Sequence, residues 1–395
     1  MSEGRPFPSR AYLLTSVLAL ALLPSNVVAA VVPLLQEEWS ASATEIGWVF
    51  ASYQVGYVIS VLVVLPLTDR IRPGAVLIWC TVLASLSFVM FPLLAKDVWS
   101  ASGLRFLAGL GLAGIYMPGV RLVSAASSPE RRGLVVGVYV SAFYLGSAAS
   151  LSATGLLLPE LGWRGAALAL GAVSAAAVPL VVWGAGGDAP SSNGRAYLDP
   201  AVLRDGPVAR NILAYTGHAW ELYVSRGWLA AFLASVLAAR GLDDTAASAA
   251  GSQWAALMSG IGALGVFLGG GLSDALGRAR AALLAALISG MLSLVFGFMG
   301  AGPWALLVVV GCFYGLVVSA DSAIYSTAIT ELAAPERLGS AQAFQAFIGF
   351  GATVLAPVAA GLVLDLDLGW GVVFVMAGVV GIALALPLLP MTRQQ

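Results

Sequence analysis

Two short polar stretches, each following a long apolar run, decide the fold of this chain: Leu65-Pro-Leu-Thr-Asp69-Arg70-Ile-Arg72 and Gly270-Gly-Leu-Ser-Asp274-Ala-Leu-Gly277-Arg278. Their aspartates lie 205 positions apart. Two further pairs keep this order and spacing: Pro129-Glu-Arg131 with Pro335-Glu-Arg337, 206 apart, and Leu161-Gly-Trp163 with Leu368-Gly-Trp370, 207 apart. Three matches in order at a nearly constant offset indicate two homologous halves of parallel topology.

The composition is that of a membrane protein. Of the 395 residues, 59% are apolar and 10% are charged, with a mean hydropathy of +0.92, whereas soluble domains carry about 25% charged residues. Disorder requires low hydrophobicity, and nucleic-acid binding requires a positive field that a net charge of −1 does not supply. Cys80 and Cys312 lie in apolar runs and are interpreted as small apolar residues rather than a disulfide.

Twelve apolar runs are long enough to cross a bilayer, which takes about 20 residues per helix. They are predicted at 11–35, 45–68, 74–95, 102–122, 133–158, 165–184, 209–238, 246–272, 280–300, 303–329, 338–364 and 369–390. Such spans are helices, because barrel strands are about ten residues long and alternate in polarity. The expected fold class is an all-α polytopic membrane protein with two pseudo-symmetric six-helix halves, 1–184 and 209–395, joined by a Gly-, Pro-, Ser- and Asn-containing linker at 185–208.

Pro24, Asn26 and Pro33 interrupt the first span. They either produce tolerated kinks or mark a broken helix that lines a cavity. The run is long enough to span and has no convincing small-residue cleavage site, which disfavours a removable signal peptide.

Basic residues predict the orientation of the spans. With the N-terminus in the cytoplasm, the inner segments hold fourteen arginines and the outer loops hold only Lys96, Arg164 and Arg240. We therefore expect a multi-pass protein of a bacterial-type cytoplasmic membrane with both termini inside.

The loop pattern after spans two and eight resembles the signature Gly-x-Leu-x-Asp-Arg-x-Gly-Arg-Arg of the major facilitator superfamily. The second copy matches well, while the first keeps Leu67, Asp69 and Arg70. Arg105 with Gly109 in span four resembles the second motif of that family. The resemblance covers essentially the whole chain and implies a transporter that works by alternating access, with its substrate near the midplane between the halves.

Three local patterns bear on the subfamily. The segment Gly137-Val-Tyr-Val-Ser-Ala-Phe-Tyr-Leu-Gly146 lacks the proline of the antiporter motif, which disfavours drug–proton antiport. Spans two and eight lack the arginines of nitrate porters. The run Gly162-Trp163-Arg164-Gly165 is similar to bacterial organic-anion and cyanate-type porters.

Ionisable residues inside spans are costly, so they are candidate functional groups. Glu221 in span seven and Asp321 in span ten each lie about ten residues, roughly 15 Å, from the predicted cytoplasmic end, and His218 shares a helix face with Glu221. These three residues are the predicted proton-coupling groups, because burial favours a neutral carboxyl and histidine titrates near neutrality. The alternative is a static network in which one of the acids neutralises Arg226.

Five residues are predicted to contact the substrate: Arg226, Arg105, Tyr53, Gln253 and Tyr325. Arg105 lies about one turn from the outer end of span four, where it attracts an anionic solute, takes part in proton movement or extends to the headgroups. Tyr53 and Gln253 are polar groups in the corresponding spans two and eight.

The loop motifs predict a conformational latch on the cytoplasmic side. Asp69, with Arg70 and Arg121, is expected to bind the N-terminus of span eleven, because helix dipoles favour anions there. Asp274 with Arg278 is the corresponding group in the second half. The alternative is that each motif is a topological stop signal.

The leading hypothesis is secondary active transport of a small organic anion driven by protons. The alternatives are efflux of amphipathic drugs, a ligand sensor on the same fold and a channel. No nucleotide-binding loop, metal cluster or nucleophile with its base is evident, so we expect no enzyme activity, no cofactor and no metal. The expected partners are the solute, protons and the lipid bilayer, with no nucleic acid, and the expected oligomeric state is a monomer.

Overall fold

The computed structural model describes residues 8–67, 71–127, 132–185 and 199–393, which are helical almost throughout and include no strand. Its α-helices are α1 (Pro8–Leu22), α2 (Val27–Ala30), α3 (Val32–Trp39), α4 (Ala43–Leu67), α5 (Pro73–Leu94), α6 (Val98–Ala125), α7 (Arg132–Ala175), α8 (Ala177–Gly184), α9 (Gly206–Ala238), α10 (Asp244–Leu276), α11 (Arg278–Phe296), α12 (Trp304–Ala320), α13 (Ser322–Leu332), α14 (Leu338–Asp365) and α15 (Gly369–Ala385).

Nine helical stretches among the described residues are long and apolar enough to cross a membrane. Three features explain the difference from twelve. The first span is divided into α1, α2 and α3, spans five and six form one continuous stretch, and α9 carries the polar residues predicted for span seven. Each predicted span coincides with helix, and the twelve-helix, two-half fold class is confirmed.

The internal repeat is visible in the backbone. Gly162 and Gly369, at equivalent positions of the two halves, both have positive φ angles, of 64° and 77°, which glycine adopts at little cost. Gly109 of α6 lies so close to α4 that a Cβ would overlap the Tyr53 carbonyl oxygen, and Gly315 of α12 meets the Met258 carbonyl of α10 in the same way. These two contacts are related by the same offset as the loop motifs.

Helix caps fix the helices that carry the candidate site. Asp97 begins α6 with a capping box, accepting the Ser100 backbone N–H at 2.8 Å. This bond stabilises the carboxylate and lowers the pKa of Asp97 below its ordinary value. Asp205 caps α9 through the backbone N–H of Val208. Both helices therefore start at a defined residue.

The chain forms two compact units. The first comprises Met1–Ala41, Ser52–Asn193 and Asp243–Ala256, and the second comprises Ser42–Ala51, Gly194–Leu242 and Leu257–Gln395. The predicted domain bounds at 184 and 209 stay a prediction, since most of the linker between them lies outside the described residues.

Candidate functional site

In the first unit, Arg105 is buried against two groups of the same unit. Its side chain is 5% exposed. Nη1 donates to the Ser25 carbonyl at 2.9 Å, and the guanidinium carbon lies 4.1 Å from the centre of the Tyr53 ring. Arg105 is therefore held inside the helices and does not extend to the headgroups.

The guanidinium of Arg105 retains unused hydrogen-bonding capacity. It has five N–H donors, and Nε has no hydrogen-bond partner among the described residues. No acidic side chain in the described part of the chain forms an ion pair with it. An arginine in this setting can bind an external carboxylate without first breaking an internal ion pair.

Tyr53 and Gln253 occupy different surroundings. Tyr53 lies on α4 beneath Arg105, and its backbone is held close to α6 by Gly109. The amide of Gln253 accepts from the Ser152 hydroxyl at 2.9 Å and donates to the Ser152 carbonyl at 2.6 Å. Gln253 thus connects α10 to α7, while Tyr53 stacks on the buried cation.

In the second unit, His218 is held between two polar groups. Its Nδ1 lies 2.7 Å from Asp321 Oδ1, and its Nε2 lies 2.9 Å from the Ser322 hydroxyl. His218 and Asp321 are 6% and 2% exposed. Because the serine hydroxyl can donate or accept, this arrangement suits both neutral and protonated histidine.

Asp321 lies at the boundary between α12 and α13 within the tenth span. Helix α12 ends at Ala320 and α13 begins at Ser322, and Asp321 itself has right-handed helical angles, with φ −86° and ψ −7°. Its carbonyl accepts from the Tyr325 N–H at 3.1 Å. The helical path therefore continues through Asp321, and Trp304–Leu332 is one stretch long enough to cross a membrane, as the sequence predicts.

Glu221 is buried in the same unit, on the helix that carries His218. Its Oε2 accepts from the Ser289 hydroxyl of α11 at 3.0 Å, and its Oε1 has no hydrogen-bond partner among the described residues. A Cβ at Gly381 of α15 would lie 3.0 Å from Oε2. A larger residue at position 381 would therefore require the carboxylate to shift by a few tenths of an ångström.

Tyr325 and Arg226 lie on the same helices as these acids. The Tyr325 side chain is fully buried, and its ring centre is 5.8 Å from that of His218. Arg226 is half-buried, with its guanidinium carbon 5.5 Å from the Tyr223 ring centre. The structure thus groups Tyr325 with the histidine–aspartate pair.

Of the two predicted latch groups, the structure describes the contacts of the second, which contains Asp274 and Arg278. Arg278 contacts Asp274 and bonds Glu331 of α13 at 2.9 Å. Asp69 and Arg70 lie outside the described residues, so their contacts stay predictions, and Arg121 lies in the last turns of α6. Glu331 is an addition that the sequence analysis missed.

Sequence reasoning also missed the neutral partners of the charged groups. Ser289 and Ser322 bond Glu221 and His218, and the Ser25 carbonyl accepts from Arg105. Serines in apolar helices are common, so their type gave no signal. Within the described residues, no group of three or more His, Cys, Asp or Glu side chains is placed to hold a metal ion.

Comparisons with known proteins agree with this architecture. The profile of the Major Facilitator Superfamily matches residues 14–242 and 222–395. Two solved structures align over nearly the whole chain. A bacterial homolog of the human lysosomal transporter Spinster covers 99% of this chain and 96% of its own, with a TM-score of 0.73 and 16% identity. The nucleoside transporter NupG covers 98% and 99%, with a TM-score of 0.75 and 14% identity. These likenesses establish the fold alone.

Curated relatives are similar over part of the chain. A gallate transporter of Pseudomonas putida is 28% identical over 189 residues, 46% of this chain and 41% of that protein. The 4-hydroxybenzoate transporter PcaK of Pseudomonas putida is 32% identical over 156 residues, 39% of this chain and 34% of that protein. The matched segment thus spans between about a third and two fifths of the length of these two relatives. These relatives are transporters rather than enzymes, and because the family profile matches nearly the whole sequence, the chain belongs to the Major Facilitator Superfamily.

Proposed function

We propose that the protein is a secondary active transporter that moves a small organic anion across the cytoplasmic membrane by alternating access, coupled to protons. The buried guanidinium of Arg105, with no acidic partner among the described residues, carries this proposal. A buried charge without a partner costs several kcal/mol on most estimates. A carboxylate on the solute would offset that cost through bidentate, charge-assisted hydrogen bonds.

The relatives support a carboxylate as the anion. Gallate and 4-hydroxybenzoate, which name two of them, are both aromatic carboxylates. The ring of Tyr53, stacked on Arg105, provides an apolar face next to the cation. A small aromatic carboxylate is therefore the first class of solute to test.

The proposed proton-coupling groups are His218, Asp321 and Glu221. All three are nearly inaccessible to solvent in this structure, where a neutral carboxyl costs far less than an ionised one. His218 contacts Asp321 directly, and an imidazole can hold a proton on one or on both of its ring nitrogens. A proton that binds to the pair from one side of the membrane and leaves on the other would couple its movement to that of the solute.

We further propose that both termini lie in the cytoplasm and that the transporter works as a monomer. The excess of arginine in the predicted inner segments supports the orientation. The latch proposal follows the same orientation and places both groups on the cytoplasmic side. The first half contributes Asp69, Arg70 and Arg121, and the second half contributes Asp274 and Arg278.

The test is uptake of 4-hydroxybenzoate and benzoate into proteoliposomes, with benzamide as a neutral analogue. Arg105→Lys keeps the charge but loses the planar fork, so KM for the carboxylates should rise about 10- to 100-fold, as expected for a hydrogen bond to a charged group. Arg105→Gln should abolish carboxylate uptake.

Arg164→Lys is the matched control. Arg164 lies in the same unit but is ion-paired with Glu38 and 40% exposed, so its replacement should leave KM unchanged. Wild-type uptake of carboxylates by Arg105→Gln, or equal uptake of benzamide by the wild type, would contradict the proposed anion site.

A further inference from the structure

The break in the first span faces Arg105. Residues 23–26 lie between α1 and α2 and form a tight turn, in which Ser25 N–H bonds the Leu22 carbonyl at 3.0 Å. The Ser25 carbonyl in this turn is the acceptor for Arg105 Nη1. The turn is therefore in direct contact with the charged group of the proposed anion site.

Asn26 holds this turn against α7. Asparagine at the start of a helix usually caps that helix with its own side chain, but Asn26, which precedes α2, makes no such bond. Its Nδ2 donates instead to the Ser147 carbonyl at 3.0 Å and contacts the Ser147 hydroxyl. Its backbone N–H donates to the Ser150 hydroxyl at 2.9 Å.

Close helix packing makes these bonds possible. A Cβ at Gly146 of α7 would lie 2.9 Å from the Leu22 Cβ, at the end of α1. Ser150 is fully buried, so its hydroxyl has few alternatives to the Asn26 N–H. Asn26 thus fixes the turn to α7, and the preceding residue, Ser25, contacts Arg105 through its carbonyl.

We infer that the turn at 23–26 is part of the binding site for an organic carboxylate and that Asn26 is its positioning residue. By fixing the Ser25 carbonyl, Asn26 holds Nη1 of Arg105 in a hydrogen bond within the protein. The Nε–H of Arg105, which has no hydrogen-bond partner among the described residues, then stays available to the carboxylate of the solute. This inference rests on the proposed function, because it assigns the carboxylate to Arg105. It also gives the interrupted first helix a role beyond a tolerated kink.

The first experiment measures binding of radiolabelled 4-hydroxybenzoate to the purified full chain. Asn26→Ala should weaken binding about tenfold, the size of one net hydrogen bond. In a protein that already carries Arg105→Lys, Asn26→Ala should weaken binding of 4-hydroxybenzoate less than about twofold. The reason is that the displaced turn no longer has a guanidinium to orient. If the losses of binding free energy from Asn26→Ala and Arg105→Lys simply add in the double variant, the inference is wrong. Additivity is the result expected if Asn26 only stabilises the fold and does not act through Arg105.

Asn211→Ala is the matched control. Asn211 is a buried asparagine of α9 that bonds the Tyr325 carbonyl at 3.2 Å and the Gln345 side chain at 2.9 Å. Its removal should not change the effect of Arg105→Lys on 4-hydroxybenzoate binding. Equal non-additivity in this control would also overturn the assignment of Asn26.

A second measurement needs no solute. In an experimental structure of Asn26→Ala, Arg105 Nη1 should leave the Ser25 carbonyl, and a retained contact would overturn the inference. The two proposals fail separately. If Arg105→Lys binds 4-hydroxybenzoate like the wild type, the proposed anion site at Arg105 is wrong. If Arg105→Lys weakens binding and Asn26→Ala does not, only the proposed role of the turn is wrong.

Discussion

Replacing Glu221 by glutamine tests the proton site without removing its contacts. The glutamine carbonyl can still accept from the Ser289 hydroxyl, which donates to Oε2 at 3.0 Å, and its amide can face Tyr314. The variant mimics the protonated acid in size and charge. We therefore expect a change in the free energy of unfolding below about 1 kcal/mol, within the range for isosteric replacements.

Glu221→Ala has a different expected cost. It would remove the carboxylate that accepts from the Ser289 hydroxyl, and Ser289 is 2% exposed. A buried polar group that loses its partner costs about 1–3 kcal/mol, so we expect a loss of unfolding free energy of that size, in addition to the loss of packing. Comparing the two variants separates loss of charge from loss of packing.

Transport should reveal the loss of charge. One proton per solute at a gradient of one pH unit supports about tenfold accumulation, since one pH unit corresponds to about 1.36 kcal/mol. Glu221→Gln should lower this ratio to about one while leaving solute-for-solute exchange intact. The assay is uptake of 4-hydroxybenzoate into proteoliposomes with and without a pH gradient.

Glu336→Gln is the control for this prediction, because Glu336 is exposed on the helical turn before α14. It should accumulate solute like the wild type. If Glu221→Gln accumulates solute with unchanged pH dependence, the proton is carried elsewhere. If the variant unfolds, Glu221 belongs to a static network.

Three further predictions concern topology, the latch and helix contact. Cysteines at Ser192 and Ala301 should react with an impermeant reagent from opposite sides, and labelling of Ser192 in intact cells would reverse the orientation. Asp69→Asn should express normally but lower the transport rate, and a wild-type rate would refute its role in the latch. Gly109→Ala should destabilise the protein by about 1–3 kcal/mol in thermal unfolding, because a Cβ would overlap a backbone carbonyl of α4. Gly103→Ala is its control, since a Cβ there meets no atom within 4 Å.

The sequence was sufficient for the helices because hydrophobic length is a local property. The predicted spans lie in helical segments of the structure. The division of the first span could also be predicted, because Pro24 and Asn26 disfavour a continuous helix. At Asp321 no proline or glycine interrupts the sequence, and the stretch Trp304–Leu332 crosses this position as one span.

The partners of the charged residues depend on packing and could not be predicted in the same way. His218 pairs with Asp321, 103 positions away, and Arg278 pairs with Glu331, 53 positions away. Arg105 had three possible roles in the sequence. Its 5% exposure eliminates extension to the headgroups, because a side chain that reaches water would be exposed.

Comparison of the two halves separates scaffold from candidate site. Gly109 and Gly315 are kept in both halves because each allows two backbones to touch. At nearly the same offset, Arg105 corresponds to Gly311, and Asp321 corresponds to Ile115.

A buried charge in one half has no counterpart in the other, so the repeated architecture does not require it. Packing alone would be satisfied by the small or apolar residue that the other half uses. Since buried charges are costly, their occurrence in single copies at equivalent helix positions is better explained by function than by the fold. The asymmetry places the proposed anion-binding arginine in the first half of the sequence and the proposed proton-coupling acids in the second. Under the proposed function, coupling between solute and proton would require both halves to take part in each transport cycle, because the buried arginine proposed to bind the anion and the acids proposed to carry the proton lie in different halves of the sequence.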